Sequence, residues 1–151
     1  MARIVAIDYG IKRTGLAVTD PLQIIATALD TVPTAELLDY LKKYTEKEKE
    51  KVEQFVVGYP RNMDNTPSEA ASHIDTFLKQ LQESFPDIAI SLEDERFTSK
   101  IAFQTMIDAG VKKMARRNKA TVDKISAVII LQSFMERRNQ LKIKNRIVSR
   151  F

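Results

Sequence analysis

Carboxylates stand at the ends of predicted elements in three separate parts of the chain. These acids are Asp8, the run Glu93, Asp94 and Glu95, and Asp123. The chain of 151 residues holds no Cys and one His, which excludes a thiol nucleophile, an iron–sulfur cluster, Cys-ligated zinc and a multi-His metal site. Any metal site is therefore built from oxygen ligands, which suits Mg²⁺ or Mn²⁺.

Asp8 ends a fully apolar predicted strand, where a carboxylate is costly unless a cation or hydrogen-bond donors meet it. Gly10 lets the backbone turn close to whatever Asp8 binds, and Lys12 and Arg13 bring two positive charges nearby. The same residues also describe a turn-forming aspartate with solvated basic neighbours. The motif alone leaves both interpretations open.

The run of acids at the end of the fifth predicted strand is followed directly by Arg96. Consecutive carboxylates repel each other unless they are solvated or a metal neutralises them. Alternation along an extended chain sends Asp94 to one side and Glu93 and Glu95 to the other, so at least one points to the sheet end shared with Asp8. Arg96 can pair with an acid or hold a phosphate. Taken alone, the run favours a charged loop.

Asp123 lies in the first turn of the last predicted helix, where the helix dipole alone accounts for a carboxylate. Its helix face continues through Ala127 and Ile130, which are apolar, so Asp123 ends a buried stripe and favours a ligand site. Acids from three converging elements that bind one or two magnesium ions are what phosphodiester hydrolysis needs.

The hydrophobic pattern predicts the element order β-β-β-α-β-α-β-α-α. The predicted strands cover residues 4–9, 14–19, 24–32, 55–58 and 88–92, and the last long helix covers 121–138. A meander followed by two β-α-β crossovers makes an α/β protein with a mixed five-stranded sheet flanked by helices. We expect one domain over residues 1–138 and a basic C-terminal tail over 139–151.

Positive charge is concentrated at the C-terminal end of the chain. Residues 111–151 hold 12 of the 24 Lys and Arg residues but two of the 20 acids. This asymmetry predicts a nucleic-acid partner whose phosphates are contacted without sequence readout, although a solvated loop gives the same pattern. Arg61, after the fourth strand, either lines the groove that would hold this nucleic acid or belongs to a simple turn. The densest basic segment holds Lys112, Lys113, Arg116, Arg117 and Lys119.

No apolar stretch of the sequence is long enough for a membrane span. The longest of note, residues 125–135, covers 11 residues, well below the ~18 that a span needs. The short apolar run at the N-terminus ends on Asp8, which is unlike a signal peptide. We therefore expect a cytoplasmic protein with no membrane partner.

Four motifs together resemble the bacterial YqgF (RuvX) family. They are IDYGIKRTGLA at residues 7–17, VGYPRNMD at 57–64, DERFTS at 94–99 and VDKISAVIILQ at 122–132. They follow the family's order and span essentially the whole predicted domain, so the match is specific where any one motif would not be.

The resemblance implies a ribonuclease H-like fold related to the RuvC Holliday-junction resolvases. The family is described as a resolvase and, alternatively, as the nuclease that processes the 5′ end of pre-16S rRNA. Carried over by position, Asp8, Glu95 and Asp123 match its metal-binding acids, and Asp94 either shares that work or positions the loop. Three acids match, whereas the resolvase relatives have four. The resemblance therefore implies one metal site and leaves the occupancy of a second site open. Asn65 replaces a common Gly, and Ser126 replaces a common Ala.

Three functions remain to be distinguished at this point. The first is an Mg²⁺- or Mn²⁺-dependent nuclease acting on structured pre-rRNA, with a four-way DNA junction as the alternative substrate, working as a monomer or a homodimer. The second is a non-catalytic nucleic-acid-binding module, against which the three retained acids argue. The third is an ATPase or kinase of the actin-like group, but such proteins need two domains of this kind and this chain has the length of one.

Overall fold

A computed structural model describes residues 2–47, 52–59, 71–94 and 125–139. The strands and helices of these ranges are β1 (Arg3–Asp8), β2 (Arg13–Thr19), β3 (Ala26–Pro33), a 3-10 turn (Thr34–Glu36), α1 (Leu37–Lys47), β4 (Val52–Tyr59), α2 (Ala71–Ser84), β5 (Ala89–Asp94) and α3 (residues 125–139). The predicted order of elements is confirmed through β5. The first of the two helices predicted after β5 and the beginning of the last predicted helix, residues 121–124, lie outside the described residues.

The five strands form one mixed sheet in the order β3-β2-β1-β4-β5. β1, β2 and β3 pair antiparallel through short connections, whereas β4 and β5 run parallel to β1 because a helix lies between them in the chain. The carboxyl ends of β1, β4 and β5 therefore meet at one edge, which we call the carboxyl edge. The predicted mixed sheet is confirmed.

One face of the sheet, the α1/α2 face, carries large apolar side chains. Ile7 on β1 and Phe55 on β4 pack with Leu41 of α1 and with Ile74 and Leu81 of α2 in one buried cluster. Leucine, isoleucine and phenylalanine at alternate strand positions bury the most apolar area, so this face supplies much of the hydrophobic stabilisation. In the described ranges, no helix is both long and apolar enough to cross a membrane.

The opposite face, the α3 face, is covered by the last described helix. Ile4 and Ala6 of β1 and Val56 of β4 pack against Ala127 and Ile130 of α3. On this face β1 places Ile4, Ala6 and then Asp8, and β4 places Val56 and then Gly58, which has no side chain, at the carboxyl edge. The sheet therefore leaves more room beside α3 near the carboxyl edge than at its other end.

The loop joining β2 to β3 lies at the other edge of the sheet and is held by hydrogen bonds. The Asp20 carboxylate accepts the backbone N–H groups of Leu22, Ile24 and Ile25 at 3.1, 2.8 and 2.7 Å. Gln23, with φ 58°, donates to the Ala2 carbonyl at 2.8 Å and accepts from Arg138 of α3 at 2.7 Å. This loop therefore ties the start of β1 to the end of α3.

Candidate active site at the carboxyl edge

Asp8 ends β1 on the α3 face and is half-buried. It pairs with Gly15 of β2, and because Ile7 lies beside Val57, the next residue level with Asp8 on β4 is Gly58. Neighbours in register share a face of the sheet, so a glycine stands on each side of the carboxylate. The sequence prediction that Asp8 stands at a strand end is confirmed.

Because the residues level with Asp8 on β2 and β4 are both glycine, neither neighbouring strand contributes a side chain beside it. They are two of the four glycines in the chain, and both are buried within strands. Glycine within a strand weakens the strand, and it often marks a position where a ligand or another backbone comes close. We call Gly15, Asp8 and Gly58 the glycine-flanked site. Its geometry suits a hydrated cation at the carboxylate.

The turn between β1 and β2 carries the two basic residues nearest to Asp8 in sequence. A Cβ at Gly10 would collide with the carbonyl oxygen of Arg13, so the turn closes this tightly only with glycine there. Lys12 and Arg13 are both exposed at this turn, which places two positive charges next to the strand that Asp8 ends. This arrangement can neutralise phosphate charge beside the glycine-flanked site.

The acids of β5 divide between the two faces of the sheet. Glu93 is level with Gly58 and therefore lies on the α3 face, two strands or roughly 10 Å from Asp8. Asp94 is level with Tyr59, which packs into the α1/α2 cluster, so Asp94 lies on the face opposite Asp8 and is exposed. The register thus separates Asp94 from Asp8, a placement that favours the loop-positioning interpretation over metal binding.

Glu93 is a buried carboxylate that ties β5 to α3. Arg137 forms an ion pair with its Oε2 at 2.7 Å, and the Ser133 hydroxyl donates to its Oε1 at 3.2 Å. The Glu93 side chain is 8% exposed and that of Arg137 is 54% exposed. An unpaired charge would be costly in this position, so the two partners on α3 account for Glu93 structurally.

Several predicted site residues fall outside the described part of the chain. Within the described ranges, no three Asp, Glu or His residues come together as a metal site. Glu95 and Asp123 would complete the predicted set with Asp8. The residues outside the description are Glu95, Asp123, Arg61, Arg96, Lys112, Lys113, Arg116, Arg117 and Lys119.

Two tyrosines beside the site contact α2, and a basic residue of α3 contacts the loop at the other edge of the sheet. The Tyr9 ring stacks on Phe77 of α2 with centroids 4.9 Å apart, and the Tyr59 hydroxyl donates to Asp75 at 3.0 Å. Arg138 lies over the Phe134 ring and donates to Gln23, just as its neighbour pairs with Glu93. Both tyrosine side chains are thus held against α2.

Sequence reasoning missed the two glycines that flank Asp8 and the role of Glu93. Gly15 and Gly58 are far apart in sequence, and only the strand register brings them to the two sides of Asp8. Three consecutive acids favour a solvent-exposed loop, so the burial of Glu93, the first of them, was not predicted. A signal for Glu93 did exist, since strand alternation separates it from Asp94.

The mixed sheet, its strand order and the acid at the end of its central strand define a ribonuclease H-like fold. A structure of Thermus thermophilus RuvC in complex with a Holliday junction substrate matches with a TM-score of 0.50 at 17% identity, covering 89% of this chain and 96% of that chain. At this identity the likeness concerns the fold. The predicted ribonuclease H-like fold is confirmed.

The chain belongs to the RuvX family. Residues 2–137 match the family described as RuvX, Holliday junction resolvase. A protein of Phocaeicola vulgatus named "Putative pre-16S rRNA nuclease" is 57% identical over 136 residues, which cover 90% of this chain and 96% of the relative. A Christiangramia forsetii protein of the same name is 55% identical, covering 89% of this chain and 98% of the relative. The resemblance drawn from the four motifs is confirmed.

Proposed function

We propose that this RuvX-family nuclease hydrolyses phosphodiester bonds in the 5′ precursor segment of 16S rRNA. The observation that carries the proposal is the glycine-flanked site, a half-buried carboxylate at the carboxyl edge whose neighbours in register on β2 and β4 are both glycine. The names of the relatives at 57% and 55% identity support the choice of substrate. Such a substrate also supports the expected cytoplasmic location.

Asp8, Glu95 and Asp123 are the residues we assign to a divalent cation, Mg²⁺ or Mn²⁺. The donor chemistry fits, because carboxylate oxygens are the ligands these hard cations prefer and the chain has no Cys. A cation bound there would lower the pKa of a water molecule and offset charge on the scissile phosphate. Two observations support the set: Asp8 lies on the face that α3 covers, and the apolar stripe of α3 that follows Asp123 in sequence begins at Ala127, which is buried against that face.

In this proposal, the other predicted site residues bind and orient the substrate. Lys12 and Arg13 contact backbone phosphates from the β1–β2 turn, and both are exposed there. Asp94, on the opposite face, positions the segment that follows β5. The other phosphate contacts we assign to Arg61, Arg96, Lys112, Lys113, Arg116, Arg117 and Lys119, because basic side chains without sequence readout give general affinity for structured RNA.

The domain assignment supports a compact enzyme with a basic extension. Two buried clusters, one on each face, join the five strands to α1, α2 and α3. Both clusters lie within the proposed domain of residues 1–138, which nearly coincides with the family match over residues 2–137. We assign residues 139–151 as a basic tail outside this domain.

A second candidate function is resolution of four-way DNA junctions, favoured by the family's description. A resolvase needs two sites to cut two strands, and hence a homodimer, whereas an rRNA-processing enzyme works equally well as a monomer. The substrate and the oligomeric state therefore test the two candidates together.

The test is metal-dependent cleavage of two labelled substrates by the wild-type protein and by Asp8→Asn. One substrate is RNA with the 5′ precursor segment of 16S rRNA, and the other is a four-way DNA junction. We expect cleavage of the RNA with Mg²⁺ or Mn²⁺, and loss of cleavage in Asp8→Asn. A nucleotide-scale map of the cut sites distinguishes processing from general degradation.

Each other outcome changes the conclusion. Symmetric cutting of the junction by a dimer would replace the RNA substrate with the resolvase function. Binding of both substrates without cleavage under either metal would favour a nucleic-acid-binding module. Equal cleavage by the wild-type protein and Asp8→Asn would remove Asp8 from the catalytic set.

A further inference from the structure

We propose that Thr34 is a positioning residue that holds the β1–β2 turn in the conformation that presents Lys12 and Arg13 to the substrate backbone. Thr34 follows β3 and is 24 residues from Gly10 in sequence. It nevertheless contacts the turn at two points. The inference rests on the proposed function, because it concerns the phosphate contacts of that same site.

The contacts of Thr34 are made to backbone carbonyls on both sides of the turn tip. Its hydroxyl donates to the Gly10 carbonyl at 2.5 Å, and its backbone N–H donates to the Lys12 carbonyl at 3.0 Å. One residue thus pairs with two carbonyl groups that lie two positions apart. Both carbonyls are thereby fixed by hydrogen bonds to the residue that follows β3.

Thr14 extends this contact into the sheet. The two threonine hydroxyl oxygens are 3.0 Å apart. Each hydroxyl has one proton, and that of Thr34 is donated to Gly10, so the Thr14 hydroxyl donates to Thr34. Thr14 is fully buried on β2 and fixed by the sheet register. The hydrogen-bond chain from Thr14 through Thr34 to Gly10 therefore anchors the turn to the rigid part of the fold.

The turn itself cannot be held by its own packing. Ile11 and Lys12, which lie between Gly10 and the start of β2 at Arg13, are both exposed, and Ile11 is 64% exposed. Gly10 gives the tight closure but contributes no side chain. Without the threonine contacts, the two basic side chains would sample more positions, and ordering them on the phosphate would cost conformational entropy.

The test compares Thr34→Val, which removes the hydroxyl at nearly constant shape, with Thr34→Ser, which restores it. RNA affinity is measured in the Asp8→Asn background over a range of salt concentrations. We expect Thr34→Val to weaken binding about fivefold to tenfold and to flatten the salt dependence, as Lys12→Ala does, because fewer phosphates are neutralised. Thr34→Ser is expected to restore both values. Thr45→Val, which removes a hydroxyl bonded to a carbonyl within α1, is the matched control.

A double-mutant cycle between Thr34→Val and Lys12→Ala separates positioning from a general effect on the fold. If Thr34 acts through the turn, the losses in affinity are less than additive once Lys12 is gone. Additive losses, or an unchanged salt slope in a folded Thr34→Val protein, would overturn the inference. Failure of the proposed function is distinct: the wild-type protein would then not cleave the precursor RNA with Mg²⁺ or Mn²⁺, whatever the Thr34 variants do to affinity and salt dependence.

Discussion

The two faces of the sheet are built from the same strands but carry different kinds of side chain. β1 places Val5 and Ile7 on the α1/α2 face and Ala6 and Asp8 on the α3 face. β4 places Phe55 and Val57 on the first face and Gly58 on the second. The first face buries large apolar side chains, whereas on the second face β4 loses side-chain volume toward the carboxyl edge.

This difference shows that the residues that stabilise the fold and those placed for chemistry alternate along the same strands and do not occupy separate segments of the chain. Adjacent residues in β1 serve opposite purposes, because successive side chains point to opposite faces. A substitution on the α1/α2 face should therefore affect the free energy of unfolding, and one near the carboxyl edge of the α3 face should affect turnover.

Asp8→Asn and Asp94→Asn give the sharpest test of this division. Each removes one carboxylate charge at the carboxyl edge, but on opposite faces. We expect Asp8→Asn to lower kcat/KM by at least about 10³-fold, because metal-assisted stabilisation of several kcal/mol is lost. Asp94→Asn should retain most activity. Equal losses in steady-state cleavage assays would show that the face does not decide the role of the acid.

Phe55→Ala tests the other face. Phe55 is fully buried and makes an edge contact with Phe85 at 5.2 Å between centroids. We expect a loss of about 3–4 kcal/mol in the free energy of unfolding, measured by urea titration, from lost burial and a new cavity. Cleavage per folded molecule should stay unchanged. A lowered kcat in the fully folded variant would break the division between the faces.

Arg137→Ala tests whether the α3 face also depends on its buried carboxylate. Removal of Arg137 leaves Glu93 buried beside Ser133 without its cation. We expect a loss of about 1–3 kcal/mol in the free energy of unfolding. Lys79→Ala, at an exposed position of α2, is the control. If the two variants are equally stable, the ion pair adds nothing to the docking of α3.

Gly58→Ala tests the glycine-flanked site with a single methyl group. A Cβ on the α3 face beside Asp8 narrows the approach to the carboxylate, so we expect kcat/KM to fall about tenfold while stability changes by less than about 1 kcal/mol. Ala89→Val adds bulk at an exposed strand position and serves as the control. Full activity in Gly58→Ala would show that the space beside Asp8 is not used by the substrate.

Asp20→Asn should give the smallest effect, at the edge far from the site. Hydrogen bonds from the backbone, chiefly the N–H of Ile25, hold the pKa of Asp20 below its ordinary value of 3.8. A lowered folded-state pKa contributes stability at pH values above the unfolded pKa, and this contribution is lost as the pH falls through the folded value. The Tm difference between wild type and Asp20→Asn should therefore be present at neutral pH and shrink below about pH 4. A difference independent of pH would contradict it.

Most of the fold followed from local patterns in the sequence. The apolar run before Asp8 and the alternation in 88–92 fixed two strands closely, because strand signals are short-range. The position of Asp8 between two glycines could not be predicted from local patterns, because Gly15 and Gly58 come beside it only when β1 pairs with two different strands. The opposite placement of Glu93 and Asp94 was expected from alternation, but burial of Glu93 depended on α3, 40 residues away.

The hydrogen bond between Gln23 and Arg138 joins residues 115 positions apart and has a consequence for synthesis of the protein. A growing chain can complete the sheet and its α1/α2 face well before α3 emerges from the ribosome. Until then no helix covers Ile4, Ala6 and Val56, and the hydrogen bonds that connect β1 to α3 cannot form. Contacts of such long range form last. We therefore expect cleavage of RNA only after α3 has been synthesised and has packed on the sheet, so that the growing chain before that point is inactive.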